Sequence, residues 1–92
     1  MMTDVVREIE IEQPASAYAE SRGWFEFKIE KASKRAIPDR FYARKGVVIL
    51  VEYKRPGEVP SRQQQRRINE LRQAGVTVHV IDNMQTAIGV FH

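Results

Sequence analysis

The 92-residue chain has no cysteine, so disulfide bonds and thiolate zinc sites are excluded and the fold needs no oxidising compartment. No apolar run approaches the roughly 20 residues that span a membrane, and residues 1–4 lack a signal-peptide pattern. Internal repeats and low-complexity segments are also absent from the sequence. We therefore expect a soluble, cytoplasmic protein without a membrane partner, folded as one small domain over residues 1–92.

The charge balance is mildly basic, with fifteen Lys and Arg against twelve Asp and Glu and a net charge of +3. This excess is compatible with a nucleic-acid partner but does not require one. The clustering of the basic residues along the chain is a stronger indication of such a partner. They could follow a phosphate backbone, although a solvated surface with an incidental basic bias is the alternative interpretation. The residues that we predict to contact nucleic acid are Lys34, Arg35, Arg40, Arg55, Arg62 and Arg66.

The most informative segment is an apolar run, residues 47–51, that follows Gly46 and ends in Glu52-Tyr53-Lys54. A run of β-branched and aliphatic residues of this length predicts a buried central strand. Successive side chains of a strand point to opposite faces, so Glu52 and Lys54 should share a face roughly 7 Å apart. The strand therefore carries an acid and a base together where it ends.

A second acid, Asp39, opens another predicted strand over residues 39–44, and Lys45-Gly46 predicts a tight turn between the two strands. If the turn has two residues, Asp39 lies directly opposite Glu52, with Cβ atoms about 5 Å apart on the same face. A three-residue loop would turn Asp39 to the other face. Because Lys-Gly is a weaker turn signal than Asn-Gly, the sequence leaves both registers open.

Two opposed carboxylates destabilise a sheet unless a positive charge compensates them, and a divalent cation is the natural compensator. Mg²⁺ prefers carboxylate, water and phosphate oxygens. A nearby Lys54 could stabilise charge on a transferring phosphate or help to orient the attacking water. The pattern thus indicates metal-assisted phosphodiester hydrolysis. The alternative is a hairpin whose terminal charged residues have no catalytic role.

The rest of the chain predicts helices and strands around this hairpin. Pro14 suits the first turn of a helix that stops at Gly23, and residues 5–12 read as a short strand or the lead-in to that helix. Ser61 and Gln64 fit a capping box at the start of a second helix. Gln64 also lies on the inward stripe with Ile68, from which it could reach a metal-bound water or a phosphate. The further predicted elements are strands at 24–30 and 76–81 and a short helix at 84–88.

Pro38-Asp39 followed by Glu52-Tyr53-Lys54 resembles the PD-(D/E)xK nuclease signature. The match extends over nearly the whole chain to the VRR-NUC branch of that superfamily, in the form of its small stand-alone phage and bacterial members. Two departures stand out, because Ala36 replaces a usual Gly and Arg67 replaces a frequent aromatic residue. The other residues that carry the resemblance are Glu12, Gly23, Arg40, Ser61, Gln64 and Gly75.

The resemblance implies an α/β restriction-endonuclease-like fold, a mixed β-sheet flanked by helices. It also implies a Mg²⁺- or Mn²⁺-dependent DNA endonuclease that is structure-specific, resembles Holliday-junction resolvases and acts on branched DNA as a homodimer. A non-catalytic nucleic-acid-binding module, or a regulatory partner of a larger DNA-processing enzyme, is the alternative.

The resemblance further implies roles for individual side chains. Glu12, Asp39 and Glu52 would hold the metal together with the Tyr53 carbonyl oxygen, and Lys54 would assist water attack and stabilise the pentavalent phosphate. Gln64 would contact the metal-bound water or a phosphate. The first acid is chosen by its spacing to Gly23, and the competing choices are Glu8, Glu10 and Glu20.

Overall fold

The computed structural model describes residues 6–92 and contains a four-stranded sheet and three helices. The elements are α1 (Ile9–Ser21), β1 (Phe25–Lys28), β2 (Arg40–Arg44), β3 (Val47–Tyr53), α2 (Arg62–Gln73), β4 (Thr77–Ile81) and α3 (Met84–Phe91). The strand order is β1-β2-β3-β4, with antiparallel pairing between the first three strands and parallel pairing of β4 with β3. The predicted mixed sheet flanked by helices is confirmed.

The β2–β3 hairpin has the two-residue register. Lys45 (φ 49°) and Gly46 (φ 82°) both adopt the left-handed region, as the central residues of a type I′ turn do. Arg44 pairs with Val47 and Arg40 with Val51, and the Asp39 N–H donates to the Val51 carbonyl at 2.9 Å. The three-residue alternative is therefore excluded, and Asp39, the residue before Arg40, lies next to the Glu52 end of β3.

Helix α1 begins at Ile9, earlier than the predicted start at Pro14, which lies inside the helix. Ile11, Ala15 and Ala19 are buried at a spacing of four residues, so this stripe favours a helix over the alternating strand pattern of residues 5–12. Residues 1–5 lie outside the described part of the chain. Of the two alternatives for this segment, residues 6–12 do not form the short strand and instead lead into and begin the first helix, because burial of the helical stripe outweighs the local alternation.

The core lies between the sheet and helices α1 and α3. Val51, Tyr53 and Tyr42 of the two central strands are fully buried there with Phe91 of α3. A chain of hydroxyl groups crosses the same layer, since the Tyr42 hydroxyl lies 2.7 Å from both the Ser16 and the Tyr53 hydroxyl. These contacts hold Tyr53 on the α1 side of β3, so its two neighbours in sequence point away from α1.

The opposite face of the sheet is covered by α2 where it passes β4. Ile68 of α2 and Val78 of β4 are buried outside the main core cluster. None of the helices formed by residues 6–92 is long and apolar enough to cross a membrane.

Candidate active site

Glu52 and Lys54 lie on one face at the end of the central strand β3. The Lys54 Nζ is 3.6 Å from the Glu52 Oε2, and the two residues are only 7% and 3% exposed, respectively. The Lys54 N–H donates to the Ile81 carbonyl at 2.9 Å, which extends the pairing of β3 with β4 beyond the last strand residue. The predicted common face is confirmed, and the pair is buried rather than a surface ion pair.

The Asp39 side chain is hydrogen-bonded to the backbone of Tyr53, the residue between Glu52 and Lys54. Its Oδ2 accepts a hydrogen bond from the Tyr53 N–H at 2.8 Å, so its carboxylate is fixed at the end of β3. Burial raises the pKa of Asp39, while the Tyr53 hydrogen bond opposes that increase and the charge of Glu12 adds to it. The hairpin register and this bond together bring Asp39 to Glu52 and Lys54.

Glu52 has the most strongly altered pKa of the acids at this site. Burial, followed by the negative charge of Asp39, raises its pKa to about 7, although Lys54 acts in the opposite direction. The positive charge of Lys54 therefore does not fully compensate the two acids. A buried acid with such a pKa, beside a second acid and an amine, is typical of functional sites.

The donor set suits a divalent cation only in part. Within residues 6–92 no three side chains of His, Cys, Asp or Glu are grouped closely enough to hold a metal ion. Asp39 and Glu52 nevertheless offer two carboxylates whose repulsion a cation would relieve, and Mg²⁺ commonly takes one or two carboxylates with water and phosphate oxygens. The pair fits such an ion, and the ligand role of the Tyr53 carbonyl stays a prediction.

Glu12 and Arg40 form a separate, interior network. The Arg40 Nε donates to Glu12 at 2.7 Å and its Nη1 to Glu26 at 2.6 Å, which ties α1 to β1 through β2. The Arg40 side chain is 15% exposed and has two internal carboxylate partners. The DNA contact predicted for Arg40 stays a prediction, and a phosphate would have to compete with the two carboxylates that already compensate its charge.

Among the competing acids of the N-terminal region, Glu8 is coupled to the site. Burial raises the pKa of Glu8, Lys54 lowers it, and Glu58 and Asp39 raise it again. Glu10 is instead bonded to the Arg7 N–H at 2.7 Å, and Glu20 is exposed near the far end of α1. Glu12 stays the predicted first acid, but its carboxylate already has a partner in Arg40.

Neither a family model nor a curated protein matches this sequence. A solved structure described as "VRR_NUC domain" superposes on the chain with a TM-score of 0.82 at 22% identity, covering 90% of this chain and 91% of that one. The chain has the VRR-NUC fold. The resemblance inferred from Pro38-Asp39 and Glu52-Tyr53-Lys54 is thus confirmed at the level of fold, and the chemistry rests on the residues of this chain.

In this example of the VRR-NUC fold, the predicted capping box at the start of α2 is present. The Gln64 N–H donates to the Ser61 Oγ at 3.1 Å, and the Gln64 Oε1 accepts from the Ser61 N–H at 2.9 Å. The carboxamide oxygen is therefore occupied by the backbone. A contact of Gln64 with water or phosphate stays a prediction, and it would use the amide nitrogen.

The remaining predicted DNA contacts lie on the exterior of the VRR-NUC fold. Lys34, Arg35 and Arg62 are exposed, and the loose ion pairs of Arg55 and Arg66 with Glu58 and Glu70 measure 3.5 and 3.8 Å. Exposed ion pairs of this kind contribute little to stability, so a phosphate can replace the carboxylate partner at small cost. Glu58 was not singled out in the sequence, because only its spatial closeness to Glu8 and Lys54 links it to the site.

Proposed function

We propose that this protein is a Mg²⁺- or Mn²⁺-dependent DNA endonuclease of the VRR-NUC branch. The observation that carries the proposal is the convergence of Asp39, Glu52 and Lys54 at the end of β3, as two mutually repelling carboxylates and a buried amine. The alternative of a non-catalytic binding module gives no reason to bury an incompletely compensated acid pair, which costs folding free energy.

Each residue of this group has a distinct chemical task. Asp39 and Glu52 would hold the cation, with the Tyr53 carbonyl as a further predicted ligand. Glu12 would join them only by leaving its ion pair with Arg40. A bound divalent cation supplies a Lewis acid for phosphate oxygens and makes water a better nucleophile at neutral pH. Lys54 places its ammonium group beside Glu52, where it can stabilise negative charge that develops on the phosphate. The Tyr53 N–H keeps the Asp39 carboxylate oriented throughout.

Cleavage of a panel of DNA substrates tests this function. Purified protein should cut DNA when Mg²⁺ or Mn²⁺ is present and show no cleavage in EDTA, because the two carboxylates need the cation for catalysis. Labelled single strands, linear duplexes, flaps and four-way junctions, resolved on denaturing gels, give the substrate preference. Binding of all four substrates without cleavage under any metal condition would support the non-catalytic module instead.

We further propose that the active form is a homodimer that cuts branched DNA. A junction must be cut on two strands, and two-fold symmetry supplies two copies of the site in a defined relation. Sedimentation should therefore report about twice the 10.7 kDa chain mass, and opposing strands of a four-way junction should be nicked in preference to linear duplex. A monomer that cuts linear duplex equally well would contradict the resolvase proposal and leave the nuclease intact.

A further inference from the structure

The segment that leads into Asp39 is a basic loop, residues 30–38, which contains no helix or strand. Its base is closed by the Ile29 N–H, which donates to the Asp39 carbonyl at 2.8 Å. At its end the buried Pro38 precedes Asp39. The basic loop is therefore attached directly to a proposed catalytic residue, and its conformation decides where its charges lie relative to the site.

A cleft of about 430 Å³ is lined by eight residues of the segment 29–37, all of them except Ser33. Three of the lining side chains are cations, Lys31, Lys34 and Arg35, against a single acid, Glu30. Cationic side chains of this kind are the usual contacts of a DNA phosphate. Within residues 6–92, all the residues that line the cleft belong to this one segment. The shape of the cleft therefore depends on the conformation of the segment.

Arg67 of α2 supplies that hold. Its Nε donates to the Arg35 carbonyl at 3.0 Å, and its guanidinium is also paired with Glu70. The Arg67 side chain is 19% exposed, whereas that of the neighbouring Arg66 is 81% exposed. Across residues 6–92, this is the one hydrogen bond from the basic loop to a helix or strand outside it.

The backbone next to that bond is strained. Ala36 adopts φ 61°, in the left-handed region that favours glycine and that residues with a side chain adopt only at an energetic cost. A strained conformation persists only when its surroundings hold it in place. The hydrogen bond from Arg67 to the carbonyl of Arg35, the residue before Ala36, is one such restraint.

We propose that Arg67 is a positioning residue that holds the basic loop so that Lys34 and Arg35 each bind a DNA phosphate along the segment that leads into Asp39. The inference rests on the proposed DNA nuclease function and adds to it a residue that acts through the loop rather than on DNA. It also gives a role to the position where the resemblance to the VRR-NUC branch leads one to expect an aromatic residue.

The salt dependence of DNA binding separates this role from its alternatives. Each phosphate contact on duplex DNA contributes about 0.9 to the slope of log affinity against log salt concentration. Loss of the loop contacts of both Lys34 and Arg35 should lower the slope by about 1.8, whereas loss of a single phosphate contact by Arg67 itself would lower it by about 0.9. A purely structural role would leave the slope unchanged.

The experiment compares Arg67→Met with Arg72→Met on duplex DNA in EDTA, over a range of salt concentrations. Methionine keeps much of the apolar stem of arginine and removes its donors. Arg72 is a matched control, because it lies on the same helix and its Nη2 donates to a backbone carbonyl, that of Val78, at 2.8 Å on the other side of α2 from the loop contact. We expect the slope to fall by about 1.8 only in Arg67→Met. In a separate cleavage assay with Mg²⁺, KM of Arg67→Met should rise more than its kcat falls.

A mutant cycle completes the test. Lys34→Ala with Arg35→Ala should lower the slope as much as Arg67→Met does, and adding Arg67→Met to that pair should change it no further. An additive loss, or an unchanged slope in Arg67→Met, would overturn the positioning role while the nuclease proposal stands. A wild-type protein whose DNA affinity is independent of salt would overturn the proposed function itself.

Discussion

Asp39→Asn should lower DNA cleavage by about 10³-fold and remove most of the stabilisation that Mg²⁺ or Mn²⁺ gives to the folded protein. Asparagine keeps an oxygen that can accept the Tyr53 N–H bond, so the hairpin end should stay in place while the negative charge is lost. A ligand at 100 times its dissociation constant stabilises the native state by about 2.7 kcal/mol, and this is the shift that should disappear.

Thermal unfolding with and without metal measures that shift, and Asp82→Asn is its control. Asp82 also accepts a backbone N–H, that of Gly57, at 3.0 Å, and it lies just after β4 rather than in the acid pair. We expect Asp82→Asn to keep the full metal-induced increase in Tm. An equal increase in wild type and Asp39→Asn would remove the proposed metal site.

The pH dependence of thermal unfolding, measured with and without metal, tests the raised pKa of Glu52. Because its folded-state pKa is about 7, above the ordinary 4.5, the folded protein retains the proton more strongly than the unfolded chain does. Without metal, the contribution of Glu52 to stability should therefore fall as pH rises from about 4.5 to 7. Metal requires the ionised carboxylate, so the metal-induced increase in Tm should grow over that interval.

Lys54→Ala should lower cleavage by about 10²–10³-fold while metal binding is largely kept, the scale of losing one preorganised electrostatic group. Its ammonium lies 3.6 Å from Glu52 and is buried, so no exposed cation can take its place. Its loss also removes a charge that lowers the pKa of Glu52, so the remaining activity should reach its maximum at a higher pH than in wild type.

Single-turnover rates of Lys54→Ala across a pH series check both effects. Lys45→Ala is a suitable control, because Lys45 is an exposed lysine in the turn at the opposite end of the β2–β3 hairpin and is not part of the Glu52 pair. Unchanged cleavage in Lys54→Ala would show that the amine is dispensable, and the catalytic role assigned to it would then be wrong.

The hairpin that carries Asp39, Glu52 and Lys54 could be predicted from sequence because its determinants are local. Alternation along a strand places Glu52 and Lys54 on one face, and the two-residue turn at Lys45-Gly46 brings Asp39 to Glu52. Only the choice between two registers needed the structure, since Lys is an uncommon residue in the left-handed region that the turn requires.

The features that the sequence did not reveal depend on contacts between residues far apart in the chain. Arg40 pairs with Glu12 and Glu26, and Arg67 binds the carbonyl of Arg35, across separations of 14 to 32 residues. The sequence shows that these side chains are charged, but it does not show which residues they contact. An arginine paired with a carboxylate inside the protein and an unpaired arginine on the surface are the same letter in the sequence. The amino-acid sequence thus determined the strand pair and the two acids and the amine that it carries, while tertiary packing decided which charges are paired inside the fold and which are exposed on its surface.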